Sequence, residues 1–301
     1  MLKRSRYYID SFDLSRRCPT LSRYGRNLTL LAAKNRLPRC YARDVEIEKI
    51  QIALFRHTKP NIMLTGATGC GKTSIVEGLA QKLENTLYQN WVNESDCSPL
   101  SLLSPGLPVV YELSCDDILG GTKYRGEFEE RLQKIIHELE ELERKVVLFI
   151  DEAHLLTSLG ESEGAVSAAN LLKPALARGR FSVIAATTDT EFEKYLSTDK
   201  ALVRRFTRID VKPIPESYRG DCALSILNDY SEAFDIAYSE DVDKDFLLQI
   251  IQGPMYDRSF PCEFVDALDL MFAEAKYREK TELSKSDFQI AICSRTGRLV
   301  I

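Results

Sequence analysis

The residues best suited to chemistry lie in the segment GATGCGKT, residues 66 to 73, which has the spacing G-x-x-x-x-G-K-T. The segment follows the apolar run NIMLT and precedes a stretch with helical character. Glycines in such a loop let backbone N–H groups converge on phosphate oxygens, and the start of a helix favours negative charge. Because Lys-Thr stands at the offset that a phosphate site requires, we favour this interpretation over a simple glycine turn.

The phosphate loop predicts both a nucleotide and a metal. Lys72 is expected to reach the β- and γ-phosphates, and Thr73 is expected to hold Mg²⁺. The predicted cofactors are therefore a nucleoside triphosphate and Mg²⁺. The nucleotide-binding residues predicted in this segment are Gly66, Ala67, Thr68, Gly69, Cys70, Gly71, Lys72, Thr73 and Ser74.

Two acidic residues follow a second apolar run, VVLFI, at residues 146 to 150. A buried strand would deliver Asp151 and Glu152 at its carboxyl end, where open α/β sheets bind ligands. We expect Asp151 to bind Mg²⁺ through water and Glu152 to polarise an attacking water. Two acids after a strand would by themselves indicate a surface turn, but together with the phosphate loop they predict a nucleoside triphosphate hydrolase.

Composition narrows the class of protein. The chain has 301 residues, of which 44% are hydrophobic and 28% charged, as in soluble globular proteins with room for two units. The net charge of -5 argues against a general nucleic-acid binder. No apolar run approaches the roughly 20 residues of a membrane helix, and the N-terminus lacks the apolar region of a secretory signal. Eight scattered cysteines without a CxxC pair suit a reducing compartment, so we expect a cytoplasmic protein. From the charge and the short apolar runs, we expect it to bind neither nucleic acid nor a membrane.

Apolar periodicity predicts strands that alternate with helices and then a helical tail. Strands are predicted at 61–65, 109–113, 146–150, 181–188 and 208–211. Helices are predicted at 43–57, 72–84, 127–145, 163–178, 216–234, 242–252, 260–278 and 284–293. Residues 85–108 are rich in Ser, Pro and Asn and are predicted to form a loop. The alternation indicates a doubly wound parallel sheet, and the tail indicates a small helical domain.

Further segments resemble the first ATPase module of the Clp family of AAA+ unfoldases and run in the family's order over most of residues 21–278. These segments include GATGCGKTSIVEGLAQKL, GGTKYRGEFEERL, VVLFIDEAHLL, NLLKPALARGRFSVIAATTDTEFEKYL, DKALVRRFTRIDV and FPCEFVDALDL. The resemblance implies an α/β fold, a P-loop AAA+ domain of three layers around a parallel sheet, followed by a small α-helical lid domain. The expected divisions are an N-terminal arm at 1–20, the large ATPase domain at 21–214 and the lid at 215–301.

The resemblance also implies roles for residues outside the phosphate loop. Thr188 matches sensor 1, which orients the attacking water or reads the γ-phosphate. Arg204 and Arg205 match arginine fingers, which complete the site of a neighbouring subunit and place the active site between subunits. The family assembles as hexameric rings, so a homohexamer is expected. An Arg-Arg pair out of this context would indicate a solvated surface.

The loop that contains KYRG matches the family's pore loop. The resemblance implies that Lys123, Tyr124 and Arg125 line a central pore, where Tyr124 grips an extended polypeptide. An aromatic ring packs against most side chains at low entropy cost, and flanking glycines allow the loop to move. The alternative is an ordinary exposed tyrosine in a turn. The acidic segment at 159–165 is a weaker candidate for a second pore loop.

Departures from the family pattern define what the resemblance leaves open. The adenine-contacting segment reads CYARD, so Tyr41 and Ala42 replace an aliphatic residue and a glycine, and Tyr41 is expected to stack on the base. Glu263 stands where relatives often carry Lys. We recognise no second ATPase module and no separate substrate domain, so the resemblance extends to the first module only.

Three functions are compatible with these patterns. The first is ATP-driven unfolding or remodelling of protein substrates that thread through a hexameric pore. The second is an ATP-dependent switch or assembly scaffold that acts on an adaptor or partner protein without threading. The third, nucleic-acid remodelling, ranks last because of the negative net charge and the tyrosine-bearing loop.

Overall fold

The computed structural model describes residues 10–93, 108–120, 125–142, 145–158, 168–251 and 260–296. Its contacts divide the chain into two compact units. One comprises residues 1–65 and 72–210, and the other comprises residues 66–71 and 211–301. The division after residue 210 falls four residues before the boundary predicted at 214.

The first unit is built on a six-stranded sheet with the strand order β1-β3-β4-β5-β2-β6. Its strands are β1 Gly25–Asn27, β2 Asn61–Thr65, β3 Val109–Leu113, β4 Val146–Ile150, β5 Ser182–Thr187 and β6 Phe206–Asp210. The five longer strands run parallel, and β1 pairs antiparallel with β3 at one edge. Every residue of β2 and β4 is buried, as expected for strands covered by helices on both faces. The predicted α/β class with a parallel sheet is confirmed.

Helices of the first unit connect these strands. They are α1 Pro19–Tyr24, α2 Leu28–Ala33, α3 Asp44–Leu54, α4 Lys72–Asn93, α5 Cys115–Leu119, α6 Arg125–Glu140, α7 Leu155–Ser158, α8 Ala168–Arg178, α9 Asp189–Glu191 with a π-helical turn at Phe192–Leu196, and α10 Lys200–Val203. The loop predicted at 85–108 is wrong for residues 85–93, which extend α4. Leu79, Leu83 and Leu87 are buried at helical spacing, and this stripe outweighs the polar composition. Residues 94–107 lie outside the described residues.

The described part of the predicted N-terminal arm, residues 10–20, packs against the rest of the first unit. Among the described residues of this segment, Phe12 is fully buried, and Asn27 donates a hydrogen bond to its carbonyl oxygen at 2.8 Å. The backbone N–H groups of Thr20 and Leu21 donate to the two carboxylate oxygens of Glu138 on α6, each at 2.9 Å. Glu138 thereby satisfies donors that the first turn of α1 leaves unpaired. The apolar residues of this segment are isolated and lack periodicity, so the sequence did not indicate that the segment packs.

The second unit contains four helices and a short strand pair among its described residues. The elements are α11 Glu216–Phe234, β7 Ala237–Tyr238, α12 Lys244–Ile250, α13 Cys262–Tyr277, β8 Glu282–Leu283 and α14 Lys285–Thr296. Stacked and tilted rings of Tyr230, Phe234 and Phe272 pack α11 against α13, with centroids 5.6–6.1 Å apart. The sequence predicted helices alone, because two-residue strands leave no periodic pattern. Across the described parts of both units, no helix has the length and apolar character to cross a membrane.

Candidate nucleotide site

The candidate site begins where three neighbouring strands end. Thr65 of β2 pairs with Thr187 of β5, and Ile150 of β4 pairs with Ala185 of β5. Since these strands are parallel, the chain leaves all three at the same edge of the sheet. The residues that follow β2, β4 and β5 are the phosphate loop, the acidic pair and Thr188.

The phosphate loop adopts a backbone that requires glycine at several positions. Gly69 and Gly71 have φ values of +77° and +89°, in the region that favours glycine. A Cβ on Gly66 would lie 2.4 Å from the carbonyl oxygen of Val211, so a side chain cannot be accommodated there. Ala67 and Thr68 are exposed while Cys70 is buried. This glycine-dependent, open backbone fits the phosphates of ATP.

The first residues of α4 meet the acidic pair directly. Thr73 Oγ1 donates a hydrogen bond of 2.6 Å to Asp151 Oδ2, although the two residues are far apart in sequence. A hydroxyl and a carboxylate are the hard oxygen ligands that Mg²⁺ prefers. The two residues predicted to hold Mg²⁺ are thus brought together, and their chemistry fits the ion.

Glu152 sits in a strained and well-fixed turn. Its φ of +51° is in the left-handed region, which costs a residue with a side chain about 1–2 kcal/mol. Its N–H donates to Asp151 Oδ1 at 2.9 Å, and the N–H of Ala153 donates to the carbonyl oxygen of Ala186 on β5 at 2.8 Å. These bonds hold the turn against the neighbouring strand and leave the Glu152 side chain exposed.

Thr188 is held in a capping box with Glu191. Its hydroxyl accepts the Glu191 N–H at 3.2 Å, and its own N–H donates to Glu191 Oε2 at 3.1 Å. The same carboxylate oxygen accepts the Thr187 hydroxyl at 3.2 Å and lies 3.2 Å from His154 Nδ1. Glu191 therefore connects the turn after the acidic pair to Thr188. Sequence reasoning missed this link, although the T-x-x-E spacing is a recognisable cap signal.

The charge state of Glu191 follows from these contacts. Burial acts to raise the pKa of its carboxyl, but the hydrogen bonds from Thr188, the charge of His154 and the hydroxyl of Thr187 lower the pKa below its usual range. The carboxylate is therefore ionised at neutral pH and stays an acceptor for its donors.

A second charged group lies near Asp151, at the β1 edge of the sheet. Arg26 Nη1 is 2.9 Å from Glu112 Oε2, and its Nη2 is 3.8 Å from Glu77 Oε1. Burial raises the pKa of Glu112, the charge of Arg26 opposes this rise, and the charge of Asp151 adds to it. The Arg26–Glu112 pair is half-buried, so β1, which carries Arg26, contributes to the electrostatics of the site.

Arg204 and Arg205 lie just before β6, and both side chains are exposed. Asn61 donates to the backbone carbonyl of Arg205 at 3.3 Å, which ties the pair to β2. Within the described part of the chain, neither guanidinium has a carboxylate partner. The two cations predicted to act as fingers are thus exposed and adjacent to β2.

Arg208, which sequence reasoning missed, joins three elements of the site. Its Nε donates to Thr65 Oγ1 at 2.9 Å, and its Nη2 donates to Asp189 Oδ1 at 2.9 Å. Its Nη1 is 3.4 Å from Glu193 Oε1, and the guanidinium covers the Phe192 ring at 4.4 Å from the centroid. The strand that follows the arginine pair is thereby fixed to the end of β2 and to the turn after Thr188. An exposed arginine on an edge strand carries no sequence signal.

The predicted adenine segment shows why the family pattern has a glycine in it. Ala42 has a φ of +52°, a left-handed conformation that glycine adopts freely. On either side, Tyr41 lies under the guanidinium of Arg39 at 5.7 Å, and the buried Arg43 pairs with Glu46 at 3.0 Å. The segment is thus fixed in a conformation that its alanine opposes.

The predicted pore residues fall largely outside the described residues. Lys123 and Tyr124 are not described, and Arg125 is described only as the first residue of α6. The candidate second pore loop at 159–165 also lies outside the described ranges. On the near side of the first loop, Arg131 donates to the carbonyl oxygens of Ile118 and Gly120 at 2.7 and 2.9 Å.

A family model described as the ATPase family associated with various cellular activities (AAA) matches residues 62–213, from the second residue of β2 to just beyond β6. The chain belongs to the AAA family. The matched region contains the phosphate loop, the acidic pair, Thr188 and the arginine pair, so the assignment to an ATPase family is confirmed.

Comparisons with individual proteins confirm the resemblance to Clp ATPase modules. The chain is 38% identical over 281 residues to a chloroplastic ClpA homologue of Solanum lycopersicum, covering 90% of this chain and 28% of that protein. It is 37% identical over 268 residues to the chaperone protein ClpB of Rickettsia conorii, covering 88% and 29%. A structure of the Hsp104-ADP complex of S. cerevisiae superposes with a TM-score of 0.72 at 28% identity, covering 93% of this chain and 46% of that one. The chain spans less than a third of the length of the curated relatives it matches.

We predict that Ala42→Gly stabilises the AAA module by about 0.5–1 kcal/mol, because it removes left-handed strain that exceeds the entropic cost of a glycine. Urea unfolding followed by circular dichroism measures the change. Ala80→Gly is the matched control, since Ala80 lies inside α4, and it is expected to destabilise the chain by about 1 kcal/mol or more. Equal losses for both variants would contradict a strained Ala42.

We predict that Arg208→Gln lowers kcat for ATP hydrolysis roughly tenfold, because small displacements of positioned groups slow chemistry strongly. The nucleotide Kd is expected to stay within about twofold, and the free energy of unfolding to fall by at most about 1 kcal/mol, since its ion pairs are half exposed. Arg208→Lys should give an intermediate kcat, and Arg36→Gln, at an exposed arginine, should change nothing. If the fall in the free energy of unfolding were large enough to explain the whole fall in kcat, Arg208 would be a purely structural residue.

Proposed function

We propose that this chain hydrolyses ATP at a site shared between subunits of a ring and uses the energy to unfold or remodel protein substrates. The observation that carries the proposal is the hydrogen bond between Thr73 and Asp151, which unites the phosphate-loop helix with the acidic strand end. Membership of the AAA family and the Clp-type relatives support the same reading.

The nucleotide and its metal are bound by this chain's own residues. The backbone of residues 66–71 and Lys72 bind the phosphates, Thr73 and Asp151 hold Mg²⁺, and Tyr41 contacts the base. Bound Mg²⁺ supplies positive charge that offsets the charge of the phosphate oxygens. Ser74, exposed at the start of α4, completes the set of predicted contacts.

Hydrolysis requires a water molecule that is correctly placed and loses a proton. Glu152 orients this water and accepts its proton, and the fixed turn from Asp151 to Ala153 keeps the carboxylate at the edge of the sheet. Thr188 provides a second contact to the water or to the γ-phosphate. Glu191 keeps Thr188 in place through the capping box, which makes Glu191 a positioning residue for the reaction.

The arginine pair completes the site of the next subunit. Arg204 and Arg205 are exposed and lack a carboxylate partner within the described residues, so their charge is available to a neighbour. A guanidinium at that position stabilises the negative charge of the transition state. The proposal therefore requires a neighbouring subunit for every site, which a closed ring provides. We infer that the ring is a homohexamer and that it is located in the cytoplasm.

Protein substrates are proposed to pass through the centre of this ring. Solved structures similar to this chain include Hsp104 with ATPγS and FITC-casein, matched at 27% identity with a TM-score of 0.71 over 92% of this chain and 47% of that one. That structure thus combines Hsp104 with a nucleotide analogue and with a protein, casein. By analogy, Tyr124 grips the polypeptide, and Lys123 and Arg125 flank it.

A second candidate function is an ATP-dependent switch or assembly scaffold that binds an adaptor or partner protein. The AAA match covers the nucleotide site, which this function also needs. A switch needs nucleotide binding and hydrolysis but no polypeptide grip. The pore residue therefore separates the two functions.

We predict that Glu152→Gln with saturating ATP and Mg²⁺ forms a particle of six 34.2-kDa chains, because binding is kept while hydrolysis is blocked. Light scattering coupled to size-exclusion chromatography measures the mass. Lys72→Ala, which loses the phosphate contact, is the control and should not assemble. A monomer or dimer of Glu152→Gln under the same conditions would rule out the homomeric ring and favour the scaffold.

We predict that Tyr124→Ala keeps ATP turnover within about twofold but loses remodelling of FITC-casein, because the aromatic contact contributes to polypeptide grip rather than to chemistry. Fluorescence anisotropy and a phosphate-release assay measure the two activities. Tyr277→Ala, which removes a ring that is 89% exposed on α13, is the matched control. Intact remodelling by Tyr124→Ala would contradict threading.

A further inference from the structure

A cavity of about 380 Å³ lies within the first unit, at the opposite edge of the sheet from the candidate nucleotide site. Its wall includes Val146 at the start of β4, Ser182 at the start of β5, and Pro108 immediately before β3. The acidic pair follows the other end of β4. Five residues of strand at about 3.3 Å each separate the two ends by roughly 16 Å.

The inner walls of the cavity are apolar. Val146, Val147, Phe181 and Leu83 line it, and each is at most 3% exposed. Leu54, at the end of α3, closes another side. A volume of this size with apolar walls is typical of sites for small organic ligands rather than for water.

The mouth of the cavity carries positive charge. Arg56, Lys145 and Arg180 line it together with His57, and all four side chains are exposed. Among the described residues, the lining contains no carboxylate, and none of the four cationic residues forms an ion pair. The Arg56 guanidinium donates to the neutral Thr207 hydroxyl at 2.8 Å. In a chain with a net charge of -5, such an uncompensated cationic cluster is a local attractor for an anion.

We propose that this cavity binds a small amphipathic anion, an aromatic or aliphatic body that carries one carboxylate, sulfonate or phosphate group. The body packs against Phe181 and Leu54, where it is removed from water. The anionic group pairs with Lys145 and Arg180 at the mouth, where charge-assisted hydrogen bonds favour it. The residues that line the cavity include none of those assigned to ATP, so both ligands bind at once.

The test uses 8-anilinonaphthalene-1-sulfonate, an aromatic sulfonate whose fluorescence rises in apolar sites. The double variant Lys145→Glu/Arg180→Glu is expected to weaken its Kd at least about tenfold, since two favourable charges become unfavourable. Arg17→Glu/Arg36→Glu is the matched control, because both arginines are exposed and lack ion pairs among the described residues. The control should bind the dye within about twofold of the unmodified chain.

A second pair of variants tests the apolar part of the site. Phe55 lines the cavity and is 75% exposed, so Phe55→Ala should weaken dye binding without unfolding the chain. Tyr277→Ala, at an even more exposed aromatic residue on the other unit, should leave the Kd unchanged. Equal effects of both variants would show that the dye coats exposed rings and would overturn the proposal.

A final arm separates the cavity from the nucleotide site. Dye titrations of Glu152→Gln with and without saturating ATP and Mg²⁺ should give the same Kd within about twofold, as expected for separate sites. Displacement of the dye by ATP would place it in the phosphate loop and overturn the proposal. Because dye fluorescence needs no turnover, failure of the proposed ATPase activity leaves this test unaffected.

Discussion

The hydrogen bond between Thr73 and Asp151 is the interaction on which the candidate site depends. It joins the first turn of α4 to the end of β4, and these elements meet only because the strands between them run parallel and in register. A shift of β4 by one residue would exchange Asp151 for Glu152 at this contact and turn the neighbouring side chains to the opposite face. The buried apolar run of β4 therefore fixes a polar site that it does not itself form.

A polar network extends this contact across the sheet edge. One carboxylate oxygen of Glu191 accepts the N–H of Thr188 and the hydroxyl of Thr187, and the side chain of His154 lies beside it. Arg208 then holds the following turn from the far side. Networks of this kind fix geometry better than isolated pairs do, since each member limits the movement of the next. The same network limits the movement of Arg204 and Arg205, because these residues directly precede the strand that carries Arg208.

Most of the first unit could be predicted from sequence because strong patterns specify it. The runs that became β2 and β4 are buried along their whole length and largely apolar, and the phosphate loop carries glycines at positions whose φ favours glycine. The extension of α4 to Asn93 was missed because polar residues surround a sparse leucine stripe. The burial of Phe12 was missed because a single aromatic residue in an irregular segment has no period to detect.

Residues of the site that sequence did not reveal share a different property. Glu191 and Arg208 act through contacts between elements that are distant in the chain, and a single sequence does not state which elements become neighbours. The capping spacing of Glu191 was visible, but its link to His154 depends on how β4 and β5 pair. Long-range polar contacts are therefore what the structure adds to the motif.

The phosphate loop also contains a built-in reporter. Cys70, between the two glycines with positive φ, has no exposed surface, and its N–H contacts the Ala67 carbonyl at 3.3 Å. A thiol reagent can reach a fully buried sulfur only when the surrounding backbone opens. The rate at which Cys70 is alkylated therefore measures how often the loop opens at this one position, rather than how often the whole chain unfolds.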